Sequence, residues 1–197
     1  MNNNSIILNS GYKYIAITFV IAIILTILDL DTLGAIAFII TLVIGFAYSN
    51  PNRDILKDED SILSPIDGVV TAIDKVGGKQ KIYCKINLCD TPTVRAPIDS
   101  TLKIKKYQNG LNLNPNSYKA KLLNEQVTFL FNSLKLTLIS DICNPKIEYT
   151  KQTNVSQGDR VAVFVDGLAI LTLDKDIKSS VNIGDKLISG QSIVSYI

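Results

Sequence analysis

Hydrophobic and polar positions divide the chain near residue 50. Tyr14 to Leu28 is a run of 15 residues without a charge, and Leu33 to Tyr48 is a second of 16. Asp29-Leu30-Asp31-Thr32 separates them. A helix needs about 20 apolar residues to cross a bilayer, and interfacial tyrosine and lysine flanks extend a shorter one. The pattern predicts a transmembrane helical hairpin in residues 1–50, with helices over 14–28 and 33–48. Lys13 precedes the first run, Arg53 and Lys57 follow the second, and the connection carries only acidic residues. The positive-inside rule then places both ends in the cytoplasm, giving a multi-pass protein of the inner membrane. Only Lys13 stands before the first run and no small-residue cleavage site follows it, so a signal peptide fits less well.

After Asn50-Pro51-Asn52 the periodicity becomes two. Gly68–Ile73, Lys81–Ile86, Thr101–Tyr107, Val127–Phe131, Leu134–Ile139, Arg160–Val165 and Leu168–Leu173 read as short strands between turn residues. No long amphipathic helix is expected after residue 57. Residues 51–197 are therefore expected to form a mostly-β domain, large enough for one buried core. Ser64-Pro65-Ile66-Asp67-Gly68 is echoed by Ala96-Pro97-Ile98-Asp99-Ser100, each a proline-led segment closing on a turn. The ending, Val181 to Gly184-Asp185 and on to Gly190, is expected to run strand, turn, strand, turn. It looks like the close of a barrel-sandwich hybrid. Lys175 lies in Leu-Asp-Lys-Asp, a poor match to the modified hairpin of a swinging-arm carrier.

A net charge of +2 gives no reason to expect nucleic acid. Cys84, Cys89 and Cys143 form no CxxC pair and the chain has no histidine, which argues against zinc and against a disulfide framework. They read as ordinary thiols of a reducing compartment.

Several motifs occur in a telling order. Asn50-Pro51-Asn52-Arg53 follows the second apolar run, then Ser64 to Gly68. Asp90-Thr91-Pro92-Thr93-Val94-Arg95-Ala96-Pro97, Lys119-Ala120, Asn124-Glu125-Gln126 and Gly158-Asp159-Arg160 come after. Together they resemble the short, membrane-anchored form of the phosphatidylserine decarboxylase family, over nearly the whole chain. The resemblance implies a β domain behind two helices, and an enzyme that makes its own cofactor. In that family a serine after a glycine attacks the preceding carbonyl. The chain breaks by elimination, and the resulting pyruvoyl group forms a Schiff base with the substrate amine.

The departures fall on this chemistry. Counting from Gly158-Asp159-Arg160 puts the family's processing site at Asp166-Gly167-Leu168, with leucine for the serine. Ser179-Ser180 lies too late and follows Lys178. The family's histidine falls on Pro92, whose side chain carries no proton. Asp67 stands at the acidic position of the processing machinery, or simply makes the turn before a strand. Arg95 reads as a head-group contact, since a guanidinium matches carboxylate or phosphate geometry, although a surface or structural ion pair fits it equally. Lys119, Asn124 and Glu125 stand where the family places residues near its site. Lys103, Lys105 and Lys106 suit either an anionic lipid surface or a protected sheet edge.

The chain thus reads as a family member linked to phospholipid metabolism that does not process itself. It would act by binding a phospholipid membrane, a phosphatidylserine-like head group or a partner. No cofactor is expected, and a homo-oligomer is compatible with this reading. One alternative is an active decarboxylase that makes phosphatidylethanolamine with a pyruvoyl group from a non-standard site. Another is a non-enzymatic adaptor built on a barrel-sandwich hybrid.

Overall fold

A computed structural model describes residues 7–113, 117, 119–132, 134–144, 146–175 and 177–197. The chain divides into two compact units, one ending at Asn52 and the other spanning Arg53–Ile197.

The first unit is a pair of antiparallel helices, α1 (Asn9–Ile27) and α2 (Asp31–Ala47). Small residues bring them together. A side chain on Gly11 would strike Tyr48, and one on Gly34 would meet Thr26 at 2.6 Å. Tyr14 stacks on Tyr48 with ring centroids 5.8 Å apart. The threonines bond back to their own helices, Thr26 to the Ala22 carbonyl at 3.0 Å and Thr41 to that of Ala37 at 2.9 Å. This satisfies their hydroxyls inside apolar surroundings. Most of the large apolar side chains of both helices are exposed.

The helix limits differ from the expected ones. α1 starts at Asn9, because a helix tolerates Tyr12 and Lys13 in its first turns. α2 takes in Asp31 and Thr32, and Asp31 sits in its first turn, where a carboxylate complements the helix dipole. Only Leu28–Leu30 remains as the connection, with Asp29 in the left-handed region at φ 55°. α1 is long and apolar enough to cross a membrane, and α2 is shorter.

In the second unit the strands are β1 (Ser61–Leu63), β2 (Gly68–Val76), β3 (Lys79–Ile86), β4 (Thr93–Arg95) and β5 (Ser100–Gln108). A single helical turn, α3 (Ala120–Leu123), precedes β6 (Gln126–Phe131) and β7 (Leu134–Ser140). Then come β8 (Glu148–Tyr149), β9 (Asn154–Val155), β10 (Arg160–Val163), β11 (Gly167–Leu173), β12 (Lys186–Leu187) and β13 (Ile193–Tyr196). Eight strands form one sheet in the order β12-β2-β3-β11-β7-β6-β5-β9, while β4-β10-β8 and β1-β13 make two small ones. Alternation sets the layers. Ile82, Cys84 and Ile86 of β3, Leu134, Leu136 and Leu138 of β7, and Ala169, Leu171 and Leu173 of β11 all point inward. They pack with Phe129, Phe131, Val94, Val161, Phe164 and Val194 in one core.

The expected strands at residues 68–173 all occur, most of them longer by one to three residues. The one expected over Arg160–Val165 ends at Val163, where the Phe164 N–H turns to the Pro92 carbonyl and the Val165 N–H to the Asn144 side chain. The closing segment is different. Val181–Ile183 is not a strand, since the backbone N–H of Asn182 is taken by the Asp185 carboxylate at 2.7 Å in a local turn. Only Lys186–Leu187 joins the sheet there, beside Gly68 and Val69.

Candidate functional site

Two Asp-Gly steps open neighbouring parts of the large sheet. Asp67-Gly68 leads into β2 and Asp166-Gly167 into β11. Both glycines have φ of 151°. A Cβ on Gly68 would lie 2.5 Å from the Lys85 carbonyl oxygen, and one on Gly167 would lie 2.3 Å from that of Ile139. Glycine is thus required at both places by close backbone approach. Each aspartate then meets a cation.

Asp67 is buried and fully engaged. Arg53 donates to it twice, Nη1 to Oδ1 at 2.5 Å and Nη2 to Oδ2 at 2.6 Å. The Ser189 N–H donates to Oδ1 at 2.8 Å, and the Thr91 N–H lies 3.4 Å from Oδ2. Arg53 also reaches the Thr91 hydroxyl at 2.8 Å and the Ser189 carbonyl at 3.3 Å. Burial pushes the Asp67 carboxyl up. The Arg53 bonds and charge outweigh it together with Ser189 and Thr91, and hold the group below its ordinary value. Asp67 therefore joins three distant segments: the start of the domain, the loop before β4 and the turn before β13. From the loop before β4 it is Thr91 that hydrogen-bonds to it, since Pro92 has no N–H to donate.

Pro92 is buried, and its carbonyl accepts the Phe164 N–H at 2.7 Å. Arg95 is also buried. Its Nη1 donates to the Gly158 carbonyl at 2.8 Å, and its Nε has no acceptor among the described residues. Burial, and then the charges of Arg160 and Arg53, bring its pKa down to about 10, which leaves it charged at neutral pH. Glu125 accepts from the Tyr107 hydroxyl at 3.2 Å and from the Ile147 N–H at 3.0 Å. Lys119 is exposed at the start of α3.

Asn124 and Leu168 are the pair of expected positions that the fold brings together. Both line a cavity of about 90 Å³ on the outward side of the sheet, with Ile139, Ser140 and Ala120. Asn124 clamps the Leu113 backbone, accepting at 2.8 Å and donating at 2.9 Å, and donates to the Ser140 carbonyl at 2.8 Å. Leu168 stands inside β11, paired with Lys85 on one side and Ile139 on the other.

The cavity wall holds a charged group that sequence reasoning missed. Lys85 Nζ donates to Asp141 Oδ2 at 2.7 Å and to Asp166 Oδ1 at 3.1 Å. Asp141 also accepts the Ile142 N–H at 2.7 Å. Burial lowers the Lys85 pKa, but the hydrogen bonds and charges of Asp141 and Asp166 outweigh it and raise the value. The amine is thus a cation held by two carboxylates, not a free nucleophile. The available signal was its alternation with Tyr83 and Lys81 on the outward side of β3. The register opposite Leu168 is a tertiary fact. None of Arg53, Asp67, Thr91 and Ser189 lines the cavity.

Fold and site together define a β-rich domain behind an apolar N-terminal helix long enough to cross a membrane. The family model for phosphatidylserine decarboxylase matches residues 40–195. The chain belongs to the phosphatidylserine decarboxylase family. It is 25% identical to the phosphatidylserine decarboxylase proenzyme of Geotalea uraniireducens, over 100% of this chain and 99% of that protein. The proenzyme of Pelagibacter ubique is 25% identical over 95% of this chain and 94% of its own length. That of Carboxydothermus hydrogenoformans is 32% identical, over 48% of this chain. No solved structure matches the chain.

Proposed function

We propose that this protein is a membrane-bound member of the family that stays uncleaved, carries no pyruvoyl group and acts by binding phospholipid. The observation that carries this reading is Leu168. It occupies the place where the family resemblance expects the serine, and its side chain has no oxygen with which to attack the Gly167 carbonyl or to be eliminated. Its surroundings support the same reading. The cavity above it, about 90 Å³, is well under the roughly 300 Å³ at which small-molecule sites begin. Pro92 stands where the resemblance expects a histidine. Asp67 is saturated by Arg53, Ser189 and Thr91, with both carboxylate oxygens engaged. Gly167 is held by packing, so its retention does not require processing.

The same proposal places both helices across the inner membrane and the β domain in the cytoplasm. It rests there on Lys13, Arg53 and Lys57 outside the apolar runs and Asp29 and Asp31 between them. Membership of the barrel-sandwich type belongs to it too, and rests on the Gly184-Asp185 and Gly190 turns. The purified full chain, incubated with phosphatidylserine vesicles, is expected to bind them and to form no phosphatidylethanolamine. Production of phosphatidylethanolamine that borohydride abolishes would overturn the proposal and establish an active pyruvoyl enzyme.

A further inference from the structure

The outward side of the large sheet gathers lysines from inner as well as outer strands. Across β3, β11, β7, β6 and β5 the strand register aligns Lys81, Thr172, Lys135, Leu130 and Lys103 in one row. Strands lie about 4.8 Å apart, so successive lysines of the row stand about 10 Å apart and its two ends about 19 Å apart. Lys105 and Lys106 follow on β5, at the irregularity between Ile104 and Lys106. Like charges crowd here. Burial, then Lys105, Lys81, Lys106 and Lys79, depress the Lys135 pKa.

Acidic neighbours lie at one corner. Asp74 is opposite Lys81, and Asp174 pairs with Lys79 at 3.3 Å. The row from Thr172 to Lys103 contains no carboxylate. Lysines on an outer strand such as β5 often guard against edge-to-edge pairing. That explanation fails for Lys81 and Lys135, because β3 and β7 each have a hydrogen-bonded neighbour on both sides. Mutual repulsion on this outward face is a standing cost, which an anionic partner would turn into attraction. The whole chain carries only +2, so these lysines are a local concentration and not a general basicity. The chain also carries α1, a helix fit to hold it at a bilayer. Anionic lipid head groups are then the negative charges nearest to hand.

We propose that the face formed by Lys81, Lys135, Lys103, Lys105 and Lys106 docks the β domain onto an anionic phospholipid surface. This deepens the phospholipid-binding part of the proposed function and is independent of whether the chain processes itself.

The test is lysine footprinting of the full chain in lipid nanodiscs. One set of discs is phosphatidylcholine, and the other is phosphatidylcholine enriched in phosphatidylglycerol. Each is acetylated briefly with a water-soluble reagent and read by peptide mass spectrometry. The five lysines are expected to label roughly fivefold more slowly in the anionic discs. The exposed Lys151, in a loop outside the row, serves as the reference and should not change. Protection should vanish in about 1 M NaCl, where the screening length falls to about 3 Å. Equal labelling in the two kinds of disc, or protection indifferent to salt, would overturn the docking face. Recovery of the chain in the disc fraction is read in the same experiment. If the chain stays in the discs without protection, the docking face fails and the membrane reading stands; if it leaves them, the membrane reading fails.

Discussion

Replacing Arg53 by methionine removes both short bonds to Asp67 and leaves a buried carboxylate with only two backbone donors. The Arg53 side chain is 14% exposed and that of Asp67 10%, so the pair belongs with buried ion pairs. Removing one partner of such a pair costs about 3–5 kcal/mol. For a domain of this size each 1 kcal/mol moves the melting midpoint by about 2–4 °C, so Arg53→Met is expected to lower it by about 10 °C. The assay is thermal unfolding of the full chain in detergent, followed by the β-sheet circular dichroism band. Two controls give the mechanism. Asp67→Asn added to Arg53→Met should restore part of the loss, since a neutral amide no longer needs a cation.

The pH dependence also has a defined sign. In the native protein the Asp67 pKa is depressed, so its stabilising contribution is present above the unfolded value near 3.9. It is lost as pH falls through the folded value. Without Arg53 burial dominates, and the folded value rises. The deficit of the variant should then shrink as pH falls from 7 to 4. A midpoint shift under about 2 °C, or a deficit that does not change with pH, would refute the ion-pair reasoning and return Asp67 to the role of a turn residue.

Other expectations concern the cavity. Leu168→Ser is expected to remain a single chain on a denaturing gel, because Pro92 offers no proton carrier; cleavage would show that a serine alone suffices. Gly167→Ala places a Cβ 2.3 Å from the Ile139 carbonyl oxygen and 2.4 Å from the Phe164 ring. It should cost about 3 kcal/mol in the same melts, whereas a drop under about 0.5 kcal/mol would show that packing does not hold this glycine. Lys85→Met leaves Asp141 and Asp166 facing each other and should destabilise by about 2 kcal/mol at neutral pH, discounted for the partial exposure of Lys85. The raised Lys85 pKa means that its own contribution is fully present below the unfolded value near 10.4. It is lost only as pH rises through the folded value. The cost is electrostatic, so the deficit should shrink in about 1 M NaCl, where the screening length is about 3 Å; a deficit indifferent to salt would contradict that pairing.

The two apolar runs and most strands were legible because their causes are local. Uncharged length marks α1 and α2, and period two marks β3, β7 and β11. Boundaries slipped where a local cue misled. Lys13 marks the edge of an apolar run in sequence, but it lies within α1. Val181–Ile183 has strand composition, yet the Asp185 carboxylate captures its backbone. At the site, the motif order led to Asp67, Pro92 and Leu168 by position. It could not supply their surroundings, which depend on residues far apart in the chain. Lys85 lies 56 positions from Asp141 and 81 from Asp166, and only the pairing of β11 with β3 and β7 brings them together. Likewise Asp67 reads as a turn residue in sequence. The pairing with Arg53 and the bond from Ser189, 122 positions away, make it a junction of the fold.

The central claim is that the peptide bond between Gly167 and Leu168 stays intact. Intact-mass spectrometry of the full chain, purified from membranes without reductant or amine treatment, tests it most directly. A single species at 21.6 kDa is the expected result. Two fragments that meet at Leu168, or any fragment whose new N-terminus carries a pyruvoyl group, would contradict it.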